Sequence, residues 1–162
     1  MSKYTTYDGP QGPLFLAVDD RGRVLRLHFV DGALPVEPGW VEDRAALAEV
    51  TRQLDEYFAG ERTDFDLELA PRGTPFQLEV WRQLCGIPYG ETISYGELAK
   101  RVDRPGAARA VGSANGQNPI AIIVPCHRVI GADGSLTGFG GGLPWKRWLL
   151  DREQPQGSFI DG

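Results

Sequence analysis

Pro71-Arg72-Gly73 splits this chain into two stretches that do not share one periodicity. Proline fixes its own φ and has no N–H to donate, and glycine opens the backbone, so the triplet punctuates the chain. Before it, apolar residues mostly alternate as in strands; after it, they recur at helical spacing. That excludes a single continuous sheet or bundle. It predicts an α+β chain of two units, a structural unit over residues 1–72 and a mostly helical unit over 73–162.

In the first unit, Leu14 to Val18 and Val24 to Val30 read as antiparallel strands around the turn Asp19-Asp20-Arg21-Gly22. Leu25, Leu27 and Phe29 share one face of the second strand. Val24, Arg26, His28 and Val30 share the other, so His28 is expected at the surface. Asp31 to Trp40, rich in Gly and Pro, reads as a loop. Leu47, Val50, Leu54 and Phe58 define a helix over Asp43 to Phe58 with Gly60 as its stop. Phe65 to Leu69 alternates like a further strand.

In the second unit, Thr74 caps a helix that has Pro75 at its first position. Phe76, Val80 and Leu84 form its apolar stripe, with Trp81 at the edge. Cys85 falls at the negative end of that helix, where nothing activates a thiol, and is expected to be a small core residue. Ser94 and Glu97 have the spacing of a capping box at the start of a short helix. A second helix follows, from about Pro105 to Asn115. Two short helices joined by Arg104-Pro105-Gly106 match a helix-turn-helix.

The second helix is built of small residues, Ala107, Ala108, Ala110, Gly112 and Ser113, around one long polar side chain, Arg109. Such a helix suits close packing against a neighbour, or entry into a narrow groove with Arg109 reaching ahead. The charge balance restricts the second possibility to this unit. Residues 1–72 carry 8 Lys+Arg against 14 Asp+Glu, net −6, and are a poor match for a phosphate backbone. Residues 73–162 carry 9 against 8, net +1.

Two cysteines, Cys85 and Cys126, are too few for a disulfide framework or a four-cysteine zinc site. No apolar run approaches the ~20 residues of a membrane span, and the N-terminus lacks signal-peptide features. A cytoplasmic protein with reduced thiols is expected. Against that background Val124-Pro125-Cys126-His127-Arg128-Val129 stands out. A rigid apolar approach, Ile120 to Val124, delivers a thiol with an imidazole beside it. Free cysteine, with a pKa of roughly 8.5, is mostly protonated at neutral pH, and a base within reach changes that. Beyond it, Thr137 to Gly142 is rich in glycine but lacks the Gly-Lys-Ser/Thr of a phosphate loop. Pro144 starts a last helix that sets Lys146 and Glu153 two turns apart on one face.

From Gly73-Thr74-Pro75-Phe76-Gln77 through Ile87-Pro88-Tyr89-Gly90, Ser94-Tyr95, Ala108 to Gly112, Asn118-Pro119, the Pro-Cys-His-Arg-Val core, Phe139 to Gly142, Lys146, Leu149-Leu150 and Glu153, this half resembles the O6-alkylguanine-DNA alkyltransferases. The match spans about 80 residues in order and at family spacing. It implies an RNase H-like first domain and a winged-helix-like second domain that binds DNA and transfers the alkyl group. Cys126 would attack the alkyl carbon on guanine O6, and to a lesser extent O4 of alkylthymine, and would remain alkylated, so that each molecule acts once. His127 would take the thiol proton through a bridging water, and Glu153 would orient His127 and stabilise its cation. Tyr95, Lys146 and the backbone N–H of Gly140 would meet the leaving oxyanion. The Val129 and Cys126 carbonyls would accept from the exocyclic amine of guanine. Asn118 would brace the turn into the cysteine segment, and Pro119, Val129, Phe139 and Gly140 would line the pocket.

The same resemblance implies that the damaged base is rotated out of the duplex. Tyr95, Ala108, Arg109, Ala110, Gly112, Ser113 and Arg128 would contact DNA. The smooth helix would lie in the minor groove, and Arg109 would fill the emptied stack. A monomer is expected, with no cofactor. The zinc site of some relatives is not expected, since residues 1–72 hold no cysteine and one histidine, His28. Phe139 replaces a common tyrosine and Gly140 an occasional serine. Three rival readings exist: a module that binds damaged bases without chemistry, a cysteine hydrolase, and a buried structural thiol. Cys126 with His127 and Glu153 argues against the first. The adjacency of cysteine and histidine argues against the second, and the surrounding motif against the third.

Overall fold

The computed structural model describes residues 1–134 and 142–154, and the chain divides into two compact units, Met1–Arg72 and Gly73–Gly162. The first is built on a sheet of order β3-β2-β1-β4. Strands β1 (Lys3–Gly9), β2 (Gly12–Val18) and β3 (Val24–Phe29) are antiparallel, while β4 (Val41–Glu42) pairs parallel with β1. The sheet is thus mixed at one edge rather than wholly antiparallel. Strand β1 has no apolar alternation to announce it; Tyr4, Thr5, Thr6 and Tyr7 form it through β-branched and aromatic character. Phe65 to Leu69 is not a strand: one bridge, Val24 to Leu69, is all that pairs there.

Five consecutive residues of β2, Leu14 to Val18, are buried, because both faces of the sheet are covered. On one face lies α1 (Ala48–Phe58), entered through a 3-10 turn, Arg44–Leu47, that Asp43 caps by accepting from the Ala46 N–H. It buries Leu47, Val50, Leu54 and Tyr57, and the carboxamide of Gln53 ties it to Asp66 at 2.8 and 3.0 Å. On the other face the 31–40 loop folds back. Trp40 stacks on Phe15 with centroids 6.3 Å apart, and Arg26 lies 5.5 Å over the Trp40 ring. His28 pairs with Phe15 across the strands on this same face. It is therefore half-buried rather than at the surface, with Nε2 lacking a partner among the described residues and burial holding its pKa below the usual value. The strand register also slips at Ala17/Val18, which moves Leu25 into the Phe15 cluster and breaks the expected alternation.

In the second unit α2 (Pro75–Leu84) opens with a full capping box between Thr74 and Gln77. Trp81 is buried, not at the edge, and its indole N–H donates to the Ala114 carbonyl at 2.9 Å. Cys85, the C-cap residue, is exposed, which corrects its expected place in the core: one residue past Leu84 the side chain has turned off the buried stripe. Helices α3 (Tyr95–Arg101) and α4 (Ala108–Gly116) form the helix-turn-helix, and both touch α2. Helix α4 starts at Ala108 and not at Pro105, because Gly106, at φ +89°, interrupts the helical path. A short parallel pair, β5 (Ile93–Ser94) with β6 (Val129–Ile130), fastens the start of α3 to the end of the cysteine segment. Helix α5 (Leu143–Glu153) packs on that segment and buries Trp145, Lys146, Leu149, Leu150 and Glu153.

Candidate active site

Helix α4 presents two different faces. Ala108, Arg109, Ala110 and Ser113 are exposed, while Val111, Ala114 and Asn115 are buried. Gly112 is half-buried against the ring of Tyr95, itself half-buried, where an added Cβ would meet ring carbon at 3.6 Å. Lys100, Arg101 and Arg104, not singled out in the sequence, are exposed at the end of α3 and in the turn before α4, and Arg101 pairs with Glu97. Residues i, i+3 and i+4 share a helical face, so the smooth exposed surface and the buried one are fixed together by α4's spacing.

From α4 the chain passes through a buried connection to Cys126. Asn118, half-buried beside Pro119, holds it at both ends: its amide nitrogen donates to the Val124 carbonyl at 2.9 Å and its oxygen accepts from the Ile120 N–H at 3.0 Å. Ile122 sits at φ +70°, a conformation that β-branched residues avoid. The bonds of Asn118 and those closing Ile123 on Ala121 (2.8 Å) and Val124 on Ile120 (3.0 Å) hold it there. No sequence signal marked this strain.

Cys126, His127 and Arg128 form one buried 3-10 turn. Burial pushes the Cys126 thiol up; a hydrogen bond from Asn118 and the charge of Lys146 oppose it without cancelling it. His127 is fully buried and its Nε2 lies 2.8 Å from Glu153 Oε2. The Glu153 carboxylate receives Arg128 as well, Nε on Oε1 at 2.8 Å and Nη2 on Oε2 at 2.9 Å. Burial alone would raise the Glu153 pKa, but His127 and Arg128 together hold it down to about 2. An ionised carboxylate can only accept, so His127 Nε2 carries the proton and Nδ1 is the bare, basic nitrogen. Burial keeps the His127 pKa below normal, and Glu153's opposing pull is offset by Arg128 and Lys146. The resting imidazole is therefore neutral. Its Nδ1 is buried and has no partner among the described residues.

Lys146 is wholly buried; its Nζ donates to the Val129 carbonyl at 2.7 Å, and burial lowers its pKa to about 8 against the attraction of Cys126. Arg128, expected on the DNA surface, is instead buried, joined to Glu153 and to the Ile87 carbonyl (2.6 Å), with Tyr89 5.7 Å beneath it. A guanidinium 6% exposed and tied inward at Nε, Nη1 and Nη2 does not stand on the surface where that contact was expected. Sequence reasoning also missed Asn115, buried on α4, whose amide nitrogen donates to the Cys126 carbonyl at 3.3 Å. A polar residue four positions after Val111, on the buried face, was the available signal. Phe139 and Gly140 lie outside the described residues. Among the described residues no cluster of His, Cys, Asp or Glu could hold a metal ion, and no helix is long and apolar enough to cross a membrane.

Fold and site together define a protein with a buried cysteine tied to the second helix of a helix-turn-helix and followed by a buried, neutral histidine. Two family models cover nearly all of the chain: the 6-O-methylguanine DNA methyltransferase ribonuclease-like domain over residues 2–71 and the DNA binding domain of the same family over residues 75–155. The chain belongs to the 6-O-methylguanine DNA methyltransferase family. It is 57% identical over 156 residues to a methylated-DNA–protein-cysteine methyltransferase of Mycolicibacterium paratuberculosis, covering 95% of this chain and 93% of that one. Among solved structures, the O6-methylguanine methyltransferase of Mycobacterium tuberculosis matches with TM-score 0.87 and 54% identity over 95% of this chain and 93% of that one. The M. tuberculosis OGT in complex with DNA matches with TM-score 0.88 and 52% identity over 96% and 95%.

Proposed function

We propose that this chain repairs alkylated duplex DNA directly, moving the alkyl group from guanine O6, and less readily from thymine O4, onto Cys126 Sγ in a single turnover. The carrying observation is the fixed tautomer of His127: Nε2–H bonded to Glu153 at 2.8 Å leaves Nδ1 as a neutral base one residue from the thiol. The thiol proton goes to Nδ1. The sulfur then forms a bond to the alkyl carbon as the carbon–oxygen bond breaks, and the electron pair stays with the base. Lys146, with a pKa of about 8, and the Tyr95 hydroxyl are the donors for the departing oxygen. Glu153 acts here mainly by orienting His127, because its charge is shared with Arg128.

The DNA would meet the exposed face of α4, with Ala108, Ala110, Gly112 and Ser113 admitting the helix to the minor groove and Arg109 occupying the space of the extruded base. Exposed Lys100 and Arg104 suit phosphate contacts. Asn118, Pro119 and Val129, with Phe139 and Gly140, form the base pocket in this reading, and the protein works as a monomer in the cytoplasm without a cofactor. The thioether is a poor leaving group, so nothing regenerates the thiol. The test is incubation with a duplex carrying O6-methylguanine. One methyl mass on the Cys126 peptide, in stoichiometric yield, is expected, and Cys126→Ala should bind DNA without transfer. Multiple turnovers, or binding by the parent with no adduct, would defeat the proposal.

A further inference from the structure

Among the described residues Glu153 is the one buried carboxylate, and two consecutive residues share it. His127 Nε2 lies 2.8 Å from Oε2. Arg128 Nη2 donates to the same oxygen at 2.9 Å, and Arg128 Nε donates to Oε1 at 2.8 Å. Its remaining nitrogen, Nη1, is tied to the Ile87 carbonyl at 2.6 Å. A guanidinium fork meets both oxygens of a carboxylate in one plane, so this clamp sets the direction from which Oε2 faces the imidazole. The reaction above uses the pair of His127 and Glu153 and leaves the guanidinium without a task. Taking a cation out of water is costly, and here it is done beside the one base that has to stay unprotonated.

Three charges bear on His127: Glu153 and Lys146 from α5, and Arg128 from its own turn. Cys126, also in that turn, is a thiol, because burial pushes its pKa up. Burial raises Cys85 and Tyr89 as well, so these two neighbours of Arg128 are neutral at neutral pH and below. On α2, Glu79 pairs with Arg82, which is exposed, and on α5 the exposed Arg152 lies over Trp148. An imidazole with a carboxylate to itself gains a proton readily. Arg128 occupies both oxygens of that carboxylate and places a like charge against the imidazolium. Orientation is kept while the pull toward protonation is balanced.

We propose that Arg128 is a positioning residue that acts on the reaction through Glu153. Its two-point clamp fixes the carboxylate for the imidazole, and its charge keeps His127 free to receive the thiol proton. This rests on the alkyl-transfer reading above.

The test pairs Arg128→Gln, which keeps a hydrogen-bonding group but not the charge, with Arg128→Lys, which keeps the charge but not the fork. Two quantities are followed against pH: single-turnover transfer from a duplex carrying O6-methylguanine, and protonation of His127 by NMR of its ring nitrogens. In Arg128→Gln both midpoints should rise by about 1 pH unit, the low end of what one neighbouring charge does. A raised pKa holds the proton at higher pH, so transfer is lost earlier as pH falls. In Arg128→Lys both midpoints should stay at the parent's, while the plateau rate drops about 3- to 10-fold for the lost second bond. A folded Arg128→Gln with the parent's midpoints overturns the proposal, and so does a loss of rate equal at every pH in both variants. Should the glutamine variant not fold, the lysine variant decides: midpoints that rise although the charge is retained overturn it. A parent inert toward O6-methylguanine sinks the alkyl-transfer reading instead, and the NMR midpoints alone then decide whether Arg128 sets the protonation of His127.

Discussion

Removing the charge of Glu153 isolates the contribution of the buried cluster. In Glu153→Gln the Arg128 guanidinium keeps its bond to the Ile87 carbonyl but loses its counter-ion in a site 6% exposed. Breaking a buried pair from one side costs about 3–5 kcal/mol. The carboxyl's acidity gives a separate figure. Its pKa falls from the usual 4.5 to about 2, and at about 1.4 kcal/mol per unit this stabilises the folded state by about 3 kcal/mol at neutral pH. The folded state holds the stronger acid. Its advantage is therefore complete above pH 4.5 and drains away as pH falls toward 2. Urea unfolding followed by tryptophan fluorescence reports on this unit, which holds Trp81, Trp145 and Trp148. The variant should be about 3 kcal/mol less stable at pH 7, and the deficit should shrink to about 1 kcal/mol near pH 3. Equal stability at pH 7, or a deficit constant across that range, would refute the reasoning.

Lys146→Met should slow transfer without lowering the neutral-pH stability of the fold. Burial holds the folded pKa near 8, below the usual 10.5, so the charged lysine opposes folding until pH rises through that window; a melting temperature well below the parent's would count against this account. In Arg109→Ala, urea unfolding should match the parent within about 0.5 kcal/mol, since the side chain is exposed. Transfer from duplex DNA should nevertheless fall more than transfer from the free base, and equal losses on both would remove Arg109 from base extrusion. As pH falls, the transfer rate should persist below the point at which an ordinary histidine gains its proton, because burial lowers the His127 pKa; a decline with a midpoint at or above the ordinary histidine value of about 6.5 would contradict it.

The elements that the sequence made legible are those with strong local signals. Thr74-Pro75 and Ser94 mark helix starts by capping alone, whereas Gly106 cuts short a helix expected from Pro105; Cys126, His127 and Glu153 stood out by motif and spacing. What stayed hidden depends on distant partners. Strand β1 is polar and is held by pairing with β2; His28 lies beside Phe15, which Trp40 from a loop covers. Arg128 reads as a surface cation until Glu153, 25 residues later, claims it. The strain at Ile122 has no local cause at all, since any isoleucine would avoid that φ unless its neighbours were fixed first.

The order in which the site is assembled along the chain has a consequence for synthesis. Cys126 and His127 are translated well before Glu153, which stands in the last turn of α5. Until that turn docks, His127 has no carboxylate to fix its tautomer and Arg128 has no anion to draw it inward. A growing or prematurely ended chain therefore carries the thiol without its orienting machinery. On the single-turnover reading proposed above, reactivity arrives with completion of the fold, and the one chance to react is not spent as a fragment.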